Sequence, residues 1–114
     1  MHCQPRDRLQ ATCDRRCEVY DGGQQPCLSA ILLLGSARDV FRDRVEVLYQ
    51  DWIGAIAQVL LDAGFDAETA RQLGEDGAIA IQGSLILAQG LGDPSPFQRA
   101  MQQLPERLLP STPT

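Results

Sequence analysis

Between Ala78 and Leu91 the chain reads AIAIQGSLILAQGL, a run without a charged residue. It lies inside a longer segment, residues 66–97, with the punctuation of one long helix. Asp66 is an N-cap candidate and Glu68 puts an acid in the first turn. Gly90-Leu91-Gly92 followed by Asp93-Pro94 marks the stop. A helix that is apolar nearly all round must be covered on more than one side. The rest of a short chain covers one side, so a second copy of the chain is expected to cover another.

Small residues recur within this helix at helical spacing. Each interior glycine costs about 1 kcal/mol relative to alanine, which calls for a compensating close approach. One approach is across a two-fold axis. It would make Gly74, Gly77, Ile81, Ser84, Leu85 and Ala88 a dimer interface, joined by Phe97, Met101 and Leu104 from the helix that follows. The other is packing against a neighbour in the same chain, and the residues alone leave both open.

The remaining segments also read as helices. PRDRLQATCDRRCEVY, from Pro5 to about Tyr20, carries Leu9, Cys13, Cys17 and Tyr20 on one face. Asp21-Gly22-Gly23 ends it. Cys27 to Leu34 suits a short buried helix, because no partner exists for it as a strand. Gly35 closes that helix and Ser36 can cap the next. From Ala37 to Ala63, the residues Val40, Phe41, Val45, Leu48, Trp52, Ile56, Val59 and Leu60 form a wide apolar stripe. Gly64 ends this helix, and Phe65 can staple onto the next one across the Asp66 cap. After the central helix, Ala67 to about Leu91, comes a last one, Pro96 to about Leu109, in which Pro105 predicts a kink or a break. Residues 1–4 and the tail 110–114 are expected to be disordered. The fold class is therefore all-α, a bundle of about five helices in one domain.

Composition removes several function classes. The net charge of −5 argues against a nucleic-acid surface, which needs a basic patch. Arg15-Arg16 and Arg38/Arg42/Arg44 alternate with acids and read as solvated, self-paired faces. The run from Cys27 to Leu34 is too short to span a bilayer, and no signal peptide precedes it, so a soluble cytoplasmic protein is expected. Four cysteines, Cys3, Cys13, Cys17 and Cys27, match no trusted zinc spacing and read as small buried hydrophobes. No metal and no cofactor is expected. An enzyme is not expected either: the single histidine, His2, is terminal. Glu75 and Asp76 point to different helix sides, and Ser29 and Ser36 have no base nearby in sequence.

The ordered set of segments resembles a known family. GGQQPCLSAILLLG leads into a long helix with VLYQDWIGAIAQVLLDAGF. Then comes DAETARQLGEDGAIAIQGSLILAQGLGDPSPFQRAMQQLPERL. This is similar to the C-terminal regulatory domain of TetR-family transcriptional regulators, nearest to the LmrA/YxaF-like subgroup. The carrying features are the run Ala80 to Ala88 and the Asp-Pro-x-Pro-Phe turn, Asp93 to Phe97. The chain starts near the helix that would follow a DNA-binding head, so no helix-turn-helix is expected in it.

The resemblance implies a division of labour. The last two helices would pair with their two-fold mates as a four-helix bundle, forming a homodimer. The earlier helices would enclose a pocket for a small hydrophobic or amphipathic effector. Tyr20, Tyr49, Trp52, Ile56, Gln82 and Ile86 are the candidates to line it, the aromatic rings and the Gln82 amide offering orientation as well as contact. Plain core packing is the competing role for the aromatics, and a hydrogen bond across the dimer seam for Gln82. The alternative function is a pocketless helical module that dimerises with itself or with a full-length relative.

Overall fold

The computed structural model describes residues 5–23 and 38–109, apart from the side chains of Arg38 and Phe41. The expected helix over Cys27 to Leu34, the Ser36 cap, the core role of Phe41 and the disordered ends all lie outside the described residues. Within them the chain forms four α-helices and a 3-10 turn. These are α1 (Pro5–Val19), the turn Asp21–Gly23, α2 (Arg38–Asp62), α3 (Ala67–Leu91) and α4 (Ser95–Leu108). There is no strand among the described residues.

Helix α3 is central. It packs against α2 on one side and α4 on another, and α4 in turn packs on α1. Local chemistry fixes its ends. The Asp66 carboxylate accepts from the Thr69 N–H at 3.2 Å, satisfying one of the free amides of the first turn. Gly92 (φ 65°, ψ 30°) takes the left-handed conformation just past Leu91. Its N–H reaches Gln89 O while the Asp93 N–H reaches Ala88 O, the paired bonds of a Schellman stop. The end of α2 is built alike: Gly64 (φ 107°) donates to Leu61 O and Phe65 to Leu60 O. Phe65 then folds back, half-buried against the core.

The core is drawn from all four helices: Leu9 and Cys13 of α1, Ile56, Val59 and Leu60 of α2, Ile81, Leu85 and Ala88 of α3, and Phe97, Met101, Leu104 and Leu108 of α4. The break expected at Pro105 does not occur. Helix α4 runs through a buried Pro105 to Leu108, and the Pro105 carbonyl accepts from the Leu109 N–H. Proline forfeits one amide donor here, but burial of its ring and of Leu108 beside it offsets that loss.

Two bridging contacts set the tilt of α1. Arg8 pairs with Asp62 at 2.6 Å, and Arg6 pairs with Glu106. Both lie at the surface, so they orient the helix more than they stabilise it. The turn after α1 is held more firmly. Gln98 Nε2 donates to Gly22 O, and Gln89 Nε2 donates to Gly23 O. Gly23 (φ 100°) lies so close to Phe97 that a Cβ there would meet the ring at 3.1 Å. A glycine is required by both conformation and space.

Candidate functional site

Where α1 crosses α2 near the middle of α3, the helices leave a cavity of about 290 Å³. Its lining comes from Ala11, Thr12, Arg15 and Arg16 of α1, Trp52, Ala55 and Ile56 of α2, and Ile81 of α3. The helical period explains the α1 set. Ala11, Arg15 and Thr12, Arg16 are i, i+4 pairs beside the buried Leu9–Cys13 stripe. The walls are largely alkyl and aromatic. The Arg16 guanidinium carbon sits 4.4 Å from the centroid of the Trp52 ring, a cation–π stack. Trp52 also tilts against Tyr49, ring centroids 6.0 Å apart. The Thr12 hydroxyl donates to Arg8 O.

Of the six residues expected to line a pocket, Trp52 and Ile56 line this cavity. Tyr49 is not in the lining, although its ring tilts against Trp52. The others are elsewhere. Tyr20 is buried beyond the cavity, edge-on to Phe97 at 6.0 Å and 79°, and serves the core. Gln82 is half-buried and not in the lining. Ile86 is 50% exposed on the outward side of α3. Arg16 and Thr12 are cavity residues that sequence reasoning passed over. The alternation of Arg15-Arg16 with Asp14 and Glu18 suggested a solvated face. An arginine stem can nonetheless lie along apolar surface with its head on an aromatic ring. The i, i+4 relation of Thr12 and Arg16 beside the apolar stripe was the available signal.

The residues expected at a dimer interface are placed as follows in the single chain. Ile81, Leu85, Ala88, Phe97, Met101 and Leu104 are each 4% exposed or less in the single chain. Gly74 faces α2: a Cβ there would meet Ile53 O at 2.7 Å. Gly77 is wedged between Ile56 and Leu108, at 3.0 and 3.3 Å. The Ser84 hydroxyl turns back on its own helix, donating to Ala80 O and Ile81 O. Packing within the chain consumes these surfaces. The apolar surface left over on α3 is a different stripe, Ile79, Gly83, Ile86, Leu87, Gly90 and Leu91. Its large members are 50–67% exposed, and its two glycines have nothing within 4 Å of an added Cβ.

The cysteines in view are Cys13 and Cys17, both free thiols. Burial, the neighbouring Cys17 and then Asp14 push the Cys13 thiol up to about 12. Burial first and Asp14 second raise Cys17 as well. Thiolate is the reactive form, so neither is poised for chemistry at neutral pH. No cluster of metal-ligating side chains occurs among the described residues, and no described helix is long and apolar enough to cross a membrane.

Comparison with known proteins agrees with this architecture at the level of family. No curated protein and no solved structure matches the chain. Residues 7–103 match the family model described as transcriptional regulator LmrA/YxaF-like, C-terminal domain. That stretch takes in the cavity, all of α2 and α3 and most of α4. The chain thus belongs to the LmrA/YxaF-like C-terminal domains of TetR-type transcriptional regulators, a regulatory and not an enzymatic family.

Proposed function

We propose that this chain is the effector-sensing and dimerisation domain of a TetR-type regulator, binding a small hydrophobic or amphipathic molecule and acting as a homodimer. The observation that carries the reading is the two-sidedness of α3. One side contributes Ile81 to the cavity under Trp52, while the other presents large apolar side chains to solvent. Contiguous exposed apolar surface of this kind marks interaction sites. The Ile79–Leu91 stripe is the seam across which a second copy pairs. Its isoleucines and glycines each recur after seven residues, the period that keeps one face of a helix against a partner.

In this reading the effector shifts how α1 and α2 sit on α3, and α3 passes the change to its two-fold mate. The acidic balance of the chain argues against DNA contact through it. The role implies a cytoplasmic setting.

Two measurements test the proposal together. Sedimentation velocity at micromolar concentration should give a dimer. A thermal-shift screen of chemically diverse apolar and amphipathic compounds should give ligands that raise Tm, since a binder of the folded state adds RT ln(1 + [L]/Kd). A monomer overturns the dimer half of the reading. A flat screen overturns the sensor half and leaves a pocketless helical module.

A further inference from the structure

The cavity has one polar sign. Its described lining residues include two arginines, Arg15 and Arg16, and no acid. Arg15 is exposed and Arg16 is half-buried. The Arg16 Nε–H is out of reach of solvent and has no hydrogen-bond acceptor among the described residues, so a ligand in the cavity would be met by the terminal N–H groups of the guanidinium. The contact with Trp52 supplies an electrostatic partner for the guanidinium charge but no hydrogen-bond acceptor for its N–H groups.

Resting on the effector-sensing reading above, we infer that the ligand is a compact amphipathic carboxylate whose head is read by Arg16 and whose body fills the apolar cavity. A carboxylate matches the guanidinium fork with two parallel N–H···O bonds. Its body would lie against Ala11, Ala55, Ile56 and Ile81, none of which can hydrogen-bond through a side chain. The Thr12 hydroxyl is engaged with Arg8 O and does not compete for the head. A cationic ligand would meet two like charges with no acid to offset them. A neutral ligand would fill the apolar space but leave the guanidinium charge uncompensated. The cavity volume of about 290 Å³ is at the lower bound of small-molecule sites, roughly 300–1,000 Å³. A single- or fused-ring acid or a medium-chain fatty acid is the right scale, and a multi-ring ligand is not.

Trp52 is the only tryptophan in the chain and lines the cavity, so its fluorescence reports on occupancy directly. The test titrates the full chain with matched pairs, 2-naphthoate against 2-naphthalenemethanol by anisotropy and calorimetry, and decanoate against 1-decanol by Trp52 emission. Wild type should bind each acid at least about tenfold tighter than its alcohol. Arg16→Met keeps the stem and removes the charge. It should bring that ratio to about one with alcohol affinity retained. Arg16→Lys, which keeps the charge without the fork, should fall between, and Arg15→Met should leave the ratio within about threefold of wild type. The wild-type comparison stands even if an Arg16 variant fails to fold. Equal affinity for acid and alcohol in wild type overturns the carboxylate assignment while leaving a sensor. An unchanged ratio in a folded Arg16→Met overturns the role of Arg16. If neither member of either pair binds, and the diverse screen is also flat, the sensor reading falls with it.

Discussion

Helix α3 has two faces that use the same residue types to opposite ends. On the inner face, Gly74 and Gly77 let neighbours approach where a methyl group would collide, the nearest atom at Gly74 being the backbone oxygen of Ile53 at 2.7 Å. On the outer face, Gly83 and Gly90 have empty space around them. Inner glycines are repaid by close packing in the same chain. Outer glycines forgo about 1 kcal/mol each of helix stability with no contact among the described residues to offset it. The same split separates the leucines: Leu85 is 1% exposed and Leu87 is 53% exposed. A glycine in a helix therefore signals a close approach without saying to what. Only the fold tells which approaches are made within the chain and which are not.

The largest effect should come from breaking the inner face. Gly74→Val forces two methyl groups against the Ile53 carbonyl, which cannot step aside as a flexible side chain could. Overpacking of this sort costs about 3 kcal/mol or more. With a shift of about 4–8 °C per kcal/mol for a domain of this size, Tm should drop by more than about 10 °C. Leu85→Ala should cost about 2–5 kcal/mol by opening a cavity among Phe97, Met101 and its other core neighbours. Leu87→Ala should leave protomer stability within about 0.5 kcal/mol. If Leu87→Ala proves as damaging as Leu85→Ala in a dilute protomer, the distinction between the faces is wrong.

The next effect belongs to the outer face. Ile79→Arg with Ile86→Arg puts charge in the centre of the uncovered stripe. It should weaken self-association at least about 100-fold by sedimentation equilibrium, given about 1.5–3 kcal/mol for each apolar side chain removed from water. Helix content by circular dichroism should not change, since both side chains are already 50% exposed or more. An unchanged dimer would move the interface off this stripe.

The fold was more legible than the site, for a definable reason. Helix ends are set by local chemistry, and Asp66, Gly64, Gly92 and the Asp21-Gly22-Gly23 turn each announced themselves within a few residues. The angular position of α3 depends on what packs where, which periodicity does not encode. An apolar helix with glycines on several sides offers more than one seam, and much of Gly74–Ala88 lies on the side packed within the single chain. Of the kink or break expected at Pro105, the break does not occur, because burial outweighs one lost hydrogen bond. At the cavity, Trp52 and Ile56 were accessible from the stripe on α2. Arg16 was not, since its neighbours in sequence are acids while its neighbour in space is an indole ring from another helix.

A subtler substitution sharpens the contrast. Gly83→Ala adds a methyl group where the protomer has room and improves helix propensity by about 1 kcal/mol. In dilute protein, chemical denaturation should show the variant more stable by about 0.5–1 kcal/mol. In concentrated protein the gain should shrink or reverse if the partner's helix approaches closely at that glycine, because the methyl group then enters the seam. A gain that is the same at every concentration would make the stripe a bystander at Gly83.

The smallest effect concerns acid, and it should not distinguish the two faces at all. Hydrogen bonds hold three carboxylates below their usual range: Asp66 through Thr69, Asp62 through Arg8 and then Gln58, and Asp93 through the Ser95 N–H. A carboxylate whose folded pKa is depressed contributes stability above its unfolded pKa of about 3.9 and loses it as pH falls through the folded value. Stability should thus be flat from neutral pH down to about 5 and should decline below about 4. All three groups lie at the surface, so the decline should be shallow and further reduced by salt. Asp66→Asn keeps an oxygen for the Thr69 N–H but removes the titrating charge. It should flatten part of the acid limb while leaving the dimer dissociation constant at pH 7 unchanged, because a cap supports the whole helix and neither face in particular. An Asp66→Asn variant that weakened the dimer at pH 7 without lowering Tm would instead tie the helix start to the seam, and the two-faced account of α3 would need a third contact.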